Sequence, residues 1–321
     1  MCGRRLWIRM IIRMNEKEII KESIALFLID LILQKLYNEE DILVFWGLLI
    51  KRTKKYEMRF KKYLTKMFRE QMKEVLSNMK ASEKHYKKIE KSLWDFWMFS
   101  RGDWNAELKK HGEAFIHDVV ESEGAVILSL LYHSDTFFME GEEVTVMVTF
   151  DVMRPEVLEY IEKWGFERVD QINDVTRQAL QKEFDEGLKL GESMFDLRKR
   201  VEKVFQKMEK SRAMTIARTE TMAASNFAAE QSYIQSRVVE SKVWLTAPDE
   251  RRCPACARME GKVAKLGEKF IDPLTNTPVE GPPLHPNCRC TINPVLFKEW
   301  QQFVQALREG GSPEIPEGFE D

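Results

Sequence analysis

No stretch of this chain is apolar for long enough to cross a bilayer as a helix. The longest apolar run, Ile42 to Ile50, and the run Ile24 to Leu33, which Asp30 interrupts, both fall well short of the ~20 residues such a span needs. The first residues carry Arg4, Arg5, Arg9 and Arg13 without a sustained apolar core or a small-residue cleavage site. A secretory leader is therefore not expected. Met10 or Met14 is an alternative start, because Asn15-Glu16-Lys17-Glu18 reads as an ordinary helix opening. Internal repeats and low-complexity blocks are absent, which excludes a repeat array. The chain has no G-x-S-x-G, no phosphate loop and no paired His/acid cluster, so the common hydrolase and nucleotide-binding sites are excluded. Histidine is scarce: of five, only His285 lies in the C-terminal half. His85, His111, His117 and His133 have no ligand partner at useful spacing and read as surface or satisfied core residues.

Cysteine is scarce as well, and four of the five gather near the C-terminus. Cys253 and Cys256 form a C-P-A-C pair, and Cys288 and Cys290 close the run Pro283-Leu284-His285-Pro286-Asn287-Cys288-Arg289-Cys290. Thiolates so spaced converge on one metal ion, as in zinc knuckles. Cys253, Cys256 and Cys288 supply three ligands, and either His285 or Cys290 supplies the fourth. Two disulfides or free buried thiols are the competing readings. Four or five available ligands describe a closed structural site, since a catalytic zinc keeps an open position. Cys2 stands alone.

The chain is long enough, at 321 residues, for roughly two domains. Its 44% hydrophobic and 32% charged residues describe a surface-rich soluble protein. Net charge is only −2, but Lys51 to Lys91 holds fifteen Lys/Arg against Glu57, Glu70, Glu74, Glu83 and Glu90. The tail from Glu309 is acidic. A basic block serves nucleic acid, an acidic protein surface or a merely solvated helix face.

Apolar periodicity predicts helices over the first ~130 residues. Ile19, Ile20, Ile24, Phe27, Leu28, Leu31 and Ile32 mark one. Tyr56, Phe60, Tyr63, Leu64, Met67, Phe68, Met72, Val75, Leu76 and Met79 mark a longer one, with Lys54, Arg59, Lys61, Lys62, Lys66 and Lys73 mostly opposite. An aromatic cluster follows, Trp94, Phe96, Trp97, Phe99 and Trp104, with a break expected at Arg101-Gly102-Asp103. Val144, Val146, Val148 and Phe150 alternate with polar neighbours and predict a strand. Further helices are expected over Glu156–Lys163, ending at Gly165, over Asp174–Leu190, and over Met194–Met208 with Ser193 as cap. An alanine-rich helix spans Arg212 to Val238, a strand Val243 to Thr246, a hairpin turn Gly261-Lys262-Val263, and a closing helix Phe297 to Leu307. Gly310 to Pro313 reads as disordered tail.

Several motifs resemble one family. Ala217-Arg218-Thr219-Glu220, with Ala224 and Asn226, is similar to the A-R-T-E-x-x-x-A-x-N pattern of phage Mu F-like minor head proteins. Glu186-Gly187-Leu188-Lys189-Leu190-Gly191 is similar too. So is Trp244-x-Thr246-x-x-Asp249-x-Arg251-x-Cys253-x-x-Cys256, followed by Gly261-Lys262 and the His285–Cys290 ending. The resemblance covers about Gln178 to Pro294. It implies a head-morphogenesis protein of a tailed phage or prophage, not an enzyme. Such a protein is a minor virion component that associates with the portal and capsid during procapsid assembly in the host cytoplasm. Contact with packaged double-stranded DNA is also implied. In that reducing compartment disulfides are disfavoured; structural zinc is the expected cofactor, with disulfides or free buried thiols as the competing readings.

The expected fold is α+β and predominantly helical. A helical N-terminal region with the basic amphipathic helix occupies 1–140, a Mu F-like domain with a small zinc-braced C-terminal element occupies 141–300, and a helix end with a disordered acidic tail occupies 301–321. The motif residues Arg218, Thr219, Glu220, Asn226, Trp244, Asp249 and Arg251 read as structural. Arg218 and Glu220, two apart on a helix, do not face each other, so each is expected to bond a different neighbour, such as the Trp244 strand or the zinc loop. Two other function classes remain open at this level: an enzymatic or toxin-like module carried on a virion-loading domain, and, more weakly, a nuclease built on the knuckle around His285 and Asn287.

Overall fold

The computed structural model describes residues 39–83, 93–132, 137–139, 142–144, 149–248, 250, 252–308 and 316–318. The expected Ile19–Ile32 helix, the disordered tail, Val146 and Val148, His85 and His133, Cys2, Asp249 and Arg251 lie outside the described residues. The fold is mostly helical with small antiparallel sheets, as the periodicities require.

In order, α1 is Glu39–Glu83, α2 Trp94–Trp97, α3 Arg101–Tyr132, β1 Phe137–Met139, β2 Glu142–Val144, α4 Pro155–Lys189, α5 Met194–Lys207 and α6 Ala213–Ser236. A π-helical turn, Met208–Arg212, joins α5 to α6. Then come β3 Val239–Leu245, α7 Pro254–Ala257, β4 Val263–Lys265, β5 Phe270–Ile271, β6 Pro278–Val279, β7 Thr291–Leu296 and α8 Lys298–Arg308. Two compact units result. One holds Lys54–Asp118 and Val152–Thr221; the other holds the described residues up to Thr53 together with Val119–Asp151 and the chain from Met222 onward.

In the first unit, the apolar stripe of α1 becomes core. Tyr56, Phe60, Leu64, Met67, Phe68, Val75 and Met79 are buried, and Phe60 stacks on Phe115 of α3 at 4.3 Å between ring centroids. Of the aromatic cluster, Trp94, Trp97 and Phe99 are buried and Phe96 is exposed. Trp97 donates its indole N–H to Ser82 at 2.6 Å. The break falls at Met98–Ser100, just ahead of the expected Arg101-Gly102-Asp103, which instead opens α3.

The two helices expected on either side of Gly165 are one continuous helix, α4. A glycine costs a helix only about 1 kcal/mol relative to alanine. Val157, Ile161, Trp164, Val169, Ile172, Leu180 and Phe184 keep one buried stripe running through it, and that burial outweighs the local cost. The helix ends where expected. Gly191 adopts φ +64°, and Glu192 donates its backbone N–H to Gly187 O at 2.9 Å, a left-handed cap that glycine adopts without Cβ strain. Ser193 caps α5 by accepting from Asp196 N.

In the second unit, β4, β3 and β7 form a three-stranded antiparallel sheet in that order. Its register pairs Trp244 with Ile292, Leu245 with Thr291 and Val243 with Val263. Trp244 is fully buried and meets Phe270 edge-on at 5.2 Å. Of the expected strand at Val144–Phe150, Val144 lies in β2, Thr149 and Phe150 carry no strand, and 145–148 lie outside the described residues.

Candidate metal centre

The sheet presents two loops to each other. The first connects β3 to β4 and is closed at its base by Trp244 N donating to Lys262 O at 2.8 Å and Gly261 N donating to Trp244 O at 2.9 Å. Glu260 tightens the same base: its carboxylate accepts from Thr246 N at 2.9 Å and from the Thr246 hydroxyl. Arg252 reaches that hydroxyl at 3.3 Å. Short α7, at the tip, puts Cys253 at its cap position, where its sulfur accepts from Cys256 N at 3.3 Å. The second loop enters β7 and carries His285, Cys288 and Cys290.

The five expected donors meet. The ligand atoms of Cys253, Cys256 and His285 lie within 4.8 Å of one another, and so do those of Cys256, Cys288 and Cys290. His285 Nε2 is 3.2 Å from the sulfurs of both Cys253 and Cys256, and Cys256 Sγ is 3.7 Å from Cys288 Sγ. None of the four cysteines is in a disulfide. Cys256, Cys288 and Cys290 are buried in an apolar cluster with Trp244, Met259, Phe270 and Ile292, while Cys253 is half-buried.

Burial and the neighbouring sulfurs push two of the thiols up, Cys256 and Cys290, and hydrogen bonds draw two down, Cys253 and Cys288. Burial pushes the Cys256 thiol up to about 12, with the nearby Cys288 thiolate adding to it. A hydrogen bond with Cys290 draws Cys288 down to about 5 against the opposing effect of burial. Burial opposes ionisation of Cys253 too, but its bonds from Cys256 N–H and to His285 hold it below the ordinary thiol range. His285 Nδ1 lies 2.8 Å from Pro286 O. That contact places the proton on Nδ1 and turns the Nε2 lone pair toward the sulfurs, the tautomer a metal takes. A tetrahedron with metal–sulfur bonds of about 2.3 Å has edges of about 3.8 Å, close to the Cys256–Cys288 separation. The group can hold a metal ion.

The motif residues of α6 are engaged by neighbouring groups. On α6, Asn226 Nδ2 donates to Met222 O at 2.8 Å and to Cys290 O at 3.2 Å, and Asn226 Oδ1 accepts from Ile292 N at 3.1 Å. Tyr233 adds a hydroxyl bond to Ile292 O at 3.0 Å. Thr219 bonds back to Thr215 O at 2.8 Å. Arg218 faces buried Glu57 of α1 at 3.4 Å. Glu220 accepts from the Trp164 indole at 2.6 Å, with Arg168 at 3.9 Å, both on α4. Arg218 and Glu220 thus bond different neighbours, but neither neighbour is the Trp244 strand or the cysteine loop.

The sequence reading passed over Glu57, Trp164, Glu260 and the pair Arg258–Asp272. Glu57 carried a signal, being an acid set within the apolar register between Tyr56 and Phe60. Arg258 grips Asp272 through Nε and Nη2 at 2.8–3.0 Å, which holds that carboxyl at about 2. Nothing in the spacing of the pair announced it.

The basic face of α1 is also ordered. Lys55, Arg59, Lys62, Lys66, Arg69, Lys73 and Lys80 are all exposed. Their steps of four and three residues keep them on one side of the helix. Arg59, Arg69 and Lys73 make ion pairs with Asp118, Glu209 and Glu70.

Residues 178–293 match the family model described as Phage Mu protein F like protein. That segment runs from α4 to β7 and contains the α6 motif and all five candidate donors. The chain is also similar to a Bacillus subtilis (strain 168) protein described as uncharacterized protein YqbB, with 23% identity over 255 residues, 75% of this chain and 79% of that one. No solved structure matches.

Proposed function

We propose that this chain, whose residues 178–293 form a phage Mu F-like segment, is a minor head protein of a tailed phage or prophage. It acts in procapsid assembly, docked on the portal or inner capsid, in the host cytoplasm first and in the head interior of the virion afterwards. The observation that carries this reading is the family match together with what its motif residues do. Arg218, Glu220 and Asn226 are each committed to a buried or half-buried partner, so the motif serves to fix a shape rather than to present a reacting group. Such a shape suits an assembly component.

The ion held at Cys253, Cys256, His285 and Cys288 or Cys290 is structural zinc on this account. The thiolate and imidazole donor set selects a soft or borderline dication. It links the two loops to each other and so stabilises the element that carries them. The exposed stripe of α1 is the surface that contacts packaged DNA, non-specifically and through phosphates. Co-expression of the tagged chain with the portal protein of its own phage or prophage tests the assembly role. A stable complex is expected; two well-folded proteins that never associate would refute it.

A further inference from the structure

Arg289 lies between two of the candidate donors, Cys288 and Cys290, and α1 engages both its backbone and its side chain. Its carbonyl accepts the indole N–H of Trp46 at 3.1 Å, from a residue 243 positions away in sequence. Its guanidinium lies over the same ring, 5.4 Å from the ring centroid. One tryptophan thus meets one arginine twice, by a hydrogen bond at the ring's edge and by a cation–π contact on its face.

The next carbonyl along is held as well. Cys290 O accepts from Asn226 Nδ2 at 3.2 Å, and Asn226 Oδ1 accepts from Ile292 N at 3.1 Å. The peptide ahead of Cys290 is therefore tied to α1, and the peptide after it to α6. A residue has only two soft backbone dihedrals, one toward each neighbouring peptide. Holding both peptides sets the direction of the Cys290 Cα–Cβ bond, and its sulfur falls in the group with Cys256 and Cys288. The Cys288 amide is itself bonded to His285 O at 3.0 Å. The C-x-C segment is thus fixed at three successive residues, whichever of its two sulfurs an ion takes.

This end of α1 is anchored independently of Arg289. Arg52 pairs with buried Glu123 of α3 at 3.0 Å, and Leu49 is buried. The indole is carried on a helix segment that belongs to the same compact unit as the cysteines. A support for a metal site needs that combination, rigid in itself and bonded to the segment it orients.

We infer that Trp46 is a positioning residue of the metal centre: its indole N–H holds the Arg289 carbonyl and, together with Asn226, orients the C-x-C segment for the ion. This rests on the metal reading above and adds to it a link to α1. The link acts in both directions, because a tie that favours the metal-bound loop is favoured by the metal by the same factor. Loss of a group that orients metal ligands from outside the ligand set weakens binding about 10–100-fold.

Zinc competition against a chromophoric chelator, on the reduced full-length chain, compares the wild type with W46F, which keeps a ring for the Arg289 guanidinium and loses the N–H. W46F should still bind a single zinc, but about 10-fold or more weakly. Hydrogen exchange gives the reciprocal readout: zinc should slow exchange of the wild-type amides over 43–50, and should do so less in W46F. A merely structural tryptophan would lower the stability of zinc-loaded and metal-free chains alike and leave zinc affinity unmoved. Equal zinc affinity in W46F and wild type, or wild-type exchange over 43–50 that ignores zinc, would overturn the link while leaving the metal reading standing. A wild-type chain that takes up no zinc would overturn both. The wild-type exchange measurement needs no variant, so the test survives if W46F fails to fold.

Discussion

Asn226 and Cys290, 64 residues apart in sequence, are joined side chain to backbone, and the same asparagine also holds the amide of Ile292. One amide group thereby fixes the end of the cysteine-bearing loop and the start of β7 to helix α6. Both bonds are buried, so their loss leaves backbone groups unpaired in an apolar setting.

Asn226→Ala should therefore lower stability by about 1–3 kcal/mol, read as an earlier urea midpoint with an unchanged slope. Asn226→Asp should be at least as damaging, because it replaces a donor with a carboxylate facing the Met222 and Cys290 carbonyls. A midpoint unmoved in both variants would mean that this junction does not hold the sheet to the helix.

Gly187 lies where α4 meets α5. A Cβ there would overlap Leu197 Cδ2 and press on Glu192, which approaches to 2.9 Å. Leu197 is itself almost fully buried. Gly187→Ala should destabilise the helical hairpin by about 1–3 kcal/mol, the usual range for overpacking, even though alanine is the better helix former. Thermal unfolding of the variant checks it; a stabilised variant would contradict the packing described.

Glu220 titrates above the ordinary carboxylate range, chiefly because it is buried, with Arg168 and the Trp164 N–H only partly offsetting that. An acid raised in the folded state keeps its proton longer there than in the unfolded chain. Its contribution to stability is thus complete below the ordinary carboxylate pKa and is lost as pH rises through the raised folded value. Stability measured against pH should fall across that window in the wild type, and Glu220→Gln, which can still accept from Trp164, should lack that part of the fall. Superimposable pH profiles would contradict the burial of a titrating acid.

Much of this was legible in advance, and the reason differs by element. The α1 stripe, the Ser193 cap and the Gly191 stop are local patterns, written in spacing of three and four or in a single permissive residue, and they appear where periodicity and cap chemistry put them. The Cys and His donors were legible as a set because thiols are rare in this chain. How the candidate donors group in space was not legible, because Cys256 falls both with Cys253 and His285 and with Cys288 and Cys290, and that is a property of the fold. The continuity of α4 through Gly165 was hidden for a related reason: burial of Trp164 and its neighbours, a tertiary effect, overrides the local glycine signal. The partners of Arg218 and Glu220 are likewise long-range and leave no trace at short spacing.

The exposed bases of α1 set a salt test for the proposed DNA contact. Binding to duplex DNA should be independent of sequence and should weaken with a slope of about −0.9 per phosphate contacted in a log–log plot against salt. Replacing Lys55, Lys62 and Lys66 by alanine should lower that slope by close to the number of contacts removed. Binding that ignores salt, or a slope that ignores these replacements, would assign the face to a protein partner or to solvent.

The most direct test of the central claim is co-purification of the full-length chain with the portal protein of its own phage or prophage. The account predicts a stable complex that survives size exclusion. Two separate, well-folded proteins under conditions that support procapsid assembly would contradict it.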